Sequence, residues 1–353
     1  MFALNIISVT GLLFAYLATY ISPLTTTFFA FFGLAYPIFL ILNTLFIIYW
    51  FIRRKKKIYL SIFVFAIGWG HFTHFFQFPI SSPQKTNTAT SLSVLSYNVR
   101  LFDLYDWTKK NNVKQQITDL INQSNADIVC LQEYYMKGGN KKFRKSINKP
   151  YVYEYFSKNK KRKKTRVGSA IYSKYPIINK GKITFAEGEA NHCIFIDIIK
   201  NKDTIRIYNA HLGSIHLDYE DYNFIASDKT KISEQDITPL KKVIKRLDVG
   251  FKKRASQVKQ LLFEIKRSPY PIIVATDMND TPVSYTYQQF NHLLNDSFVK
   301  KGKWIGSTYV GKMPWLRIDY IWYSNTLNIN NFETIPAELS DHRPIYGEYS
   351  LNK

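Results

Sequence analysis

Acidic residues are missing from the whole first quarter of this 353-residue chain: no Asp or Glu occurs before Asp103. Phe2 to Ile21 and Phe28 to Ile52 hold no charged side chain at all, and Ile58 to Phe78 hold only His71 and His74. Each stretch is close to the roughly 20 apolar residues that a helix needs to cross a hydrocarbon core, which excludes an ordinary soluble domain here. Three transmembrane helices are therefore expected within residues 1–78. The first stretch has no basic n-region and no small-residue cleavage site, so a removed signal peptide fits it poorly. Cysteine is scarce as well. Cys130 and Cys193 each lie in an apolar, strand-like run, which excludes a disulfide framework. No internal repeat, aromatic RNP pattern or helix-turn-helix is visible, so no sequence-reading nucleic-acid module is expected.

The basic residues are unevenly placed. Arg53, Arg54, Lys55, Lys56 and Lys57 cluster between the second and third apolar stretches. By the positive-inside rule that loop is cytoplasmic, which puts the N-terminus inside and everything after Phe78 outside. The expectation is a multi-pass protein of the cytoplasmic (inner) membrane with an extracytoplasmic domain and the lipid bilayer as its partner. Pro37 is expected to kink the second span. Residues 79–91 have linker composition, and residues 92–353 form the remaining domain. Of the formal charge of +22, residues 1–90 supply six cations, and the other 42 cations against 26 anions leave +16. Such a domain favours polyanionic surfaces, nucleic acid and anionic lipid alike.

Beyond residue 92, short apolar runs alternate with amphipathic stretches. Strands are expected at Leu92 to Val99, Asp127 to Leu131, Tyr151 to Phe156, Gly168 to Tyr172, Ile183 and Thr184, Cys193 to Ile199, Thr204 to Ala210, Pro271 to Ala275, Ile318 to Tyr323 and Pro344 to Tyr349. Helices are expected at Lys109 to Gln123, at Thr238 to Arg267 as one helix or two, and at Tyr285 to Leu294. Phe251, Ala255, Val258, Leu261, Leu262 and Ile265 form the apolar face of the second stretch.

Polar residues stand at the ends of several of these strands: Ser96-Tyr97-Asn98, Leu131-Gln132-Glu133, Asn209-Ala210-His211, Thr276-Asp277-Met278-Asn279, Arg317-Ile318-Asp319-Tyr320 and Ser340-Asp341-His342. One such residue is usually a turn or cap. The set, in this order, resembles the endonuclease/exonuclease/phosphatase superfamily of DNase-I-like metal-dependent phosphoesterases from about Leu92 to Tyr349. The resemblance implies an α+β fold, a two-sheet β-sandwich flanked by helices, with the site at the loop end. It implies that Glu133 is the main ligand of Mg2+, or of Mn2+ in its place, helped by Asn98, with Asp341 completing the shell. Asp277 would orient or deprotonate the attacking water and Asn279 would donate to the phosphate. His342, held by Asp319, would act on the reacting phosphate, with His211 as a second donor or as the acid for the leaving group. Two departures stand out. Thr276 replaces the family's usual Gly, and Arg100 stands where apurinic endonucleases carry a carboxylate.

Seven cations fall between Lys158 and Arg166. Lys160, Lys161, Arg162, Lys163 and Lys164 are the expected substrate clamp, with a solvated surface loop as the plainer alternative. Residues 216–245 form a family-atypical insert. The expected activity is hydrolysis of a phosphodiester, nucleic acid or phospholipid of sphingomyelin type, outside the membrane. The alternatives are a phosphomonoesterase of inositol-phosphate type and a non-catalytic, membrane-anchored anion-binding protein.

Overall fold

The computed structural model describes residues 1–79, 91–137, 146, 151–156, 165–186, 191–214, 234–311, 313 and 315–351. The chain divides into two compact units. One comprises Met1–Phe76, Ser214–Val258 and Asp280–His292; the other comprises Gln77–Gly213, Lys259–Asn279 and Leu293–Lys353.

Isoleucine alternation builds the second unit. Its strands are β1 (Ser91–Asn98), β2 (Ile128–Lys137), β3 (Tyr153–Phe156), β4 (Thr165–Ser173), β5 (Ile177–Thr184), β6 (His192–Lys200), β7 (Asp203–His211), β8 (Ile272–Asp277), β9 (Asn295–Asp296), β10 (Asp319–Tyr323), β11 (Leu327–Thr334) and β12 (Ile345–Leu351). They form two six-stranded sheets, ordered β11-β12-β1-β2-β4-β3 and β5-β6-β7-β8-β10-β9. Pairs β1–β2 and β7–β8 are parallel and the other pairs are antiparallel, so both sheets are mixed.

Every second residue of the central strands enters one apolar layer. Leu92 and Val94 of β1, Ile128 and Cys130 of β2, Ile194, Ile196 and Ile198 of β6, Ile205 and Ile207 of β7, Ile273 and Ala275 of β8, and Ile321 of β10 all pack there. Burying each large side chain contributes about 1.5–3 kcal/mol. The intervening residues Leu95, Tyr97, Val129 and Leu131 face the other way and bury Val113, Ile117 and Ile121 of α6 (Val113–Ser124). Both cysteines are buried and free.

Differences from the expected elements are local. Helix α6 begins at Val113 rather than Lys109, because Lys109 and Asn112 adopt left-handed backbone angles. Strand β11 escaped the period-2 pattern because a bulge between Ile329 and Asn331 puts Leu327, Ile329 and Phe332 on one face. Helix α7 (Glu234–Ile265) is a single helix, and its expected apolar face is buried throughout. Helix α8 (Tyr285–Asn291) starts where Ser284 accepts from Tyr287 N at 3.1 Å and stops three residues early; the short α9 (Ser297–Lys301) was not expected.

The first unit holds α1 (Phe2–Leu17), α2 (Phe28–Leu34), α3 (Tyr36–Ile52), α4 (Ile58–Ile67) and α5 (Trp69–Phe75). No single described helix is long and apolar enough to cross a membrane. The pairs α2–α3 and α4–α5 pass that test together but bend by 65° and 68°. The first bend falls at Ala35, just before Pro37, where a proline belongs in a first turn. The second falls at Gly68, where a Cβ would collide with the Tyr16 hydroxyl. Inside this unit Asn5 Nδ2 donates to Ser61 Oγ at 2.8 Å, Trp50 Nε1 to Asn5 Oδ1 at 2.8 Å, and Asn43 Nδ2 to Ser8 Oγ at 2.9 Å. Ile7, Ile41, Phe51, Ile52 and Phe63 are exposed instead. Segments from later in the chain join these helices: Phe31 meets Phe251 edge-on at 5.3 Å, and Arg254 Nε donates to Asp280 Oδ2 at 3.0 Å.

Candidate active site

Polar residues replace isoleucine where the inner-face alternation reaches one end of the sandwich. Positions 92, 94 and 96 of β1 lead to Asn98; 205, 207 and 209 of β7 lead to His211; 273 and 275 of β8 lead to Asp277. Strand β10 runs the opposite way, so Asp319 at its start arrives beside Asp277 as its register partner. Glu133 needs a further device. Strict alternation would put it on the outer face with Val129 and Leu131. Between Leu131 and Tyr134 the pairing with β4 shifts by a bulge, and Glu133 adopts φ 46°. That bulge re-aims its carboxylate. Asn279 (φ 51°) and Arg100 (φ 40°) also have left-handed backbones. Such conformations cost of the order of 1–3 kcal/mol each and cluster at functional sites.

The buried layer beneath the site was not assigned from sequence. Gln132 Nε2 donates to Ser96 Oγ at 3.0 Å and to Asn209 Oδ1 at 2.8 Å, and Asn209 Nδ2 donates to Leu131 O and Ala170 O at 3.0 and 2.9 Å. These bonds tie β2 to β7 across the two sheets. The same alternation puts Ser96, Gln132 and Asn209 on the inner face, but it does not pair strands of different sheets.

Asp277 is fully buried. Its Oδ2 accepts from Asn98 Nδ2 at 2.7 Å and its Oδ1 from Asn279 N at 3.0 Å. Burial pushes its carboxyl up from the ordinary range, against the opposing charge of the nearby His342. His342 Nδ1 lies 2.9 and 3.1 Å from the two oxygens of Asp319, and its Nε2 lies 3.8 Å from Asp277 Oδ2. Burial alone would pull this imidazole down. The charges of Asp319 and Asp277, and the hydrogen bond to Asp319, outweigh it and hold the ring well above the ordinary histidine value. His211 Nε2 stands 3.6 Å from both Glu133 Oε1 and Asp277 Oδ2.

Seven of the expected residues thus meet in one place: Asn98, Glu133, His211, Asp277, Asn279, Asp319 and His342. Asn98 turns its amide nitrogen to the carboxylates, also reaching Glu133 Oε1 at 3.3 Å, while its oxygen accepts from Arg100 N. Asp341 stands at the rim, with Oδ2 3.3 Å from Arg100 Nε and Oδ1 4.0 Å from His342 Nε2. Asn279 commits one amide hydrogen to Leu212 O at 3.2 Å. Thr276 points to the opposite strand face and donates to Tyr320 O at 3.4 Å, so its side chain does not crowd the site. Lys160, Lys161, Arg162, Lys163 and Lys164 lie outside the described residues, as do residues 216–233 of the insert.

A divalent cation fits part of this set. Glu133, His211 and Asp277 offer ligand atoms within 4.8 Å of one another, as do Asp277, Asp319 and His342. In the second group the imidazole and Asp319 already satisfy each other. In the first, His211 Nε2 is buried without a hydrogen-bond partner among the described residues and faces two carboxylates, one of them partly exposed. Carboxylate oxygens suit a hard ion.

Two mixed sheets flanked by helices, with carboxylates, amides and imidazoles gathered at one end, define a DNase-I-like α+β phosphoesterase fold. The chain belongs to the endonuclease/exonuclease/phosphatase family, whose profile matches residues 95–342. Residues 1–75 match a domain of unknown function, DUF8431. No curated protein matches the chain. Among solved structures it is similar to the human Nocturnin catalytic domain with bound sulfate anion, at 17% identity and TM-score 0.53 over 74% of this chain and 94% of that one. It is equally similar to a mannosyl-6-phosphatase from Bacteroides thetaiotaomicron, at 17% identity and TM-score 0.53 over 74% of this chain and all of that one, 100%. An endonuclease/exonuclease/phosphatase from Beutenbergia cavernae matches at 13% identity and TM-score 0.53 over 74% of this chain and 72% of that one. At these identities the likeness establishes the fold.

Proposed function

We propose that this protein is a divalent-metal-dependent phosphoester hydrolase, anchored in the cytoplasmic membrane by its N-terminal helices and acting on the outer side. The observation that carries the catalytic reading is the convergence of Asp277, His342 with Asp319 behind it, His211, Asn279 and Glu133. Glu133, His211 and Asp277 would hold Mg2+, or Mn2+ in its place, which when bound neutralises charge on a phosphoryl oxygen. Asp277, with its carboxyl pushed up by burial, accepts a proton from the attacking water. His342 is held as an imidazolium by Asp319 and donates through Nε2 to a non-bridging oxygen, which Asn279 also contacts. His211 Nε2 faces the metal group, so the departing alkoxide takes its proton from solvent, and the P–O bond to the alcohol breaks as the new P–O bond to water forms.

The anchoring reading rests on the inside-out character of the helices. Asn5, Ser8, Asn43 and Ser61 are buried while Ile7, Phe51, Ile52 and Phe63 are exposed, the arrangement expected where the solvent is lipid. The Arg53 to Lys57 cluster supports the orientation. Phosphodiesters, in nucleic acid or phospholipid, are the leading substrate class. The likeness in fold to a mannosyl-6-phosphatase supports phosphomonoesters as the second.

The test is a panel assay of the full chain in detergent, with Mg2+, Mn2+ or EDTA, against DNA, RNA, sphingomyelin, phosphatidylcholine, inositol phosphates and sugar phosphates. Metal-dependent cleavage of one class is expected. Activity on none of them, with the protein folded, would leave an anion-binding role instead.

A further inference from the structure

Of the charged groups described at the site, the mechanism leaves Arg100 and Asp341 unused, and the two are paired. The Arg100 backbone N donates to Asn98 Oδ1 at 3.0 Å, its Nε lies 3.3 Å from Asp341 Oδ2, and its guanidinium sits 4.2 Å over the centre of the Trp107 ring. Among the described residues it is the only arginine or lysine ion-paired with Asp341, Asp277, Asp319 or Glu133. Its two terminal nitrogens make no hydrogen bond to a described residue, and the side chain is 30% exposed. A guanidinium fixed from two sides, with a donor pair left over, is preorganised for an anionic oxygen.

Next to it, Trp107 and Tyr105 leave 40% and 66% of their surfaces exposed, their rings 5.2 Å apart. The loop that presents them is tightly built. Asp103 accepts from Trp107 N at 2.8 Å, Thr108 N at 3.2 Å and Thr108 Oγ1 at 2.6 Å, and Arg100, Leu101, Phe102 and Asp103 all have left-handed φ. Two exposed aromatics on a braced loop beside an arginine have the composition of a stacking platform.

We propose that Arg100, Trp107 and Tyr105 form a subsite for the alcohol side of the substrate, which carries a ring, sugar or nucleobase. The ring lies against the aromatic pair while the free guanidinium nitrogens donate to an oxygen of its phosphate. This rests on the hydrolase reading for its purpose, but its test does not need turnover. Binding of adenosine monophosphate, glucose 6-phosphate and glycerol 3-phosphate to the EDTA-treated full chain in detergent is measured by calorimetry. The two ring-bearing ligands bind more tightly than the acyclic one, and the tighter of the two identifies the ring. Trp107→Ala and Tyr105→Ala each reduce that preference by about ten-fold. Arg100→Ala weakens all three ligands. A preference for rings unchanged in both aromatic variants, or absent from the parent, overturns the subsite, and so does a loss confined to binding of phospholipid vesicles. A ring preference that obeys these variants without hydrolysis of any ester in Mg2+ keeps the subsite and sinks the hydrolase reading.

Discussion

Replacing Asp319 by Asn removes one charge and almost no volume from the best-defined pair in the site. The carboxylate is 3% exposed and both its oxygens lie within 3.1 Å of His342 Nδ1. The ring is itself buried, so no water takes over the lost bond. Asparagine can present an acceptor to Nδ1, but it cannot supply the charge that outweighs the desolvation of the imidazolium. Groups acting in proton transfer contribute about 10²–10⁴-fold to rate, and kcat is expected to fall by that amount with KM within about three-fold. The cause predicts a second signature. Asp319 raises the His342 pKa, so in Asp319→Asn the proton is lost at lower pH and the alkaline limb of the rate profile moves down. The assay is steady-state kinetics across pH at saturating Mg2+ for Asp319→Asn, His342→Ala and the double variant. The double variant should be scarcely slower than His342→Ala, since residues acting as a unit are not additive. Additive losses with an unmoved alkaline limb would refute the pairing.

Glu133→Gln keeps shape but removes a hard-ion ligand, so the Mg2+ affinity measured by calorimetry should fall at least ten-fold while circular dichroism is unchanged; unaltered affinity would remove Glu133 from the metal site. Arg254→Leu leaves the carboxylate of Asp280 buried without its Nε partner, and thermal or denaturant unfolding should show a loss of about 3–5 kcal/mol. The His342 contribution to stability has a definite sign: its folded pKa is raised, so the contribution is full below about pH 6.5 and is lost as pH rises through the folded value. Unfolding measured from pH 6 upward should therefore show a decline that His342→Gln flattens. A reporter fused after Lys353 should be active only when it is of an extracytoplasmic type; activity of a cytoplasmic reporter there would reverse the orientation.

Period-2 alternation made most of this fold legible in the sequence, because a strand buried on its inner face announces itself whatever its partner. The same alternation carried Asn98, His211 and Asp277 to one end of the sandwich. Glu133 became legible only through family resemblance, since its own strand pattern points it outward and a bulge turns it back. Gln132 and Asn209 were invisible as a pair, because their bond joins strands of different sheets. Strand β11 was hidden by its bulge. In the first unit, hydropathy gave the apolar stretches, and Pro37 marked one bend. The break at Gly68 depends on the approach of Tyr16 from another helix, which no local pattern records. Arg100 was noticed as a departure, but its contacts with Asp341 and Trp107 depend on four consecutive left-handed residues that no propensity predicts.

The central claim is attack of water on phosphorus at this site, and a single-turnover reaction of the full chain in ¹⁸O-labelled water tests it most directly. With Mg2+ present, the label should appear in the phosphoryl product and not in the alcohol, and both EDTA and Asp277→Asn should abolish product formation. Label in the alcohol, or undiminished product from Asp277→Asn, would contradict the account.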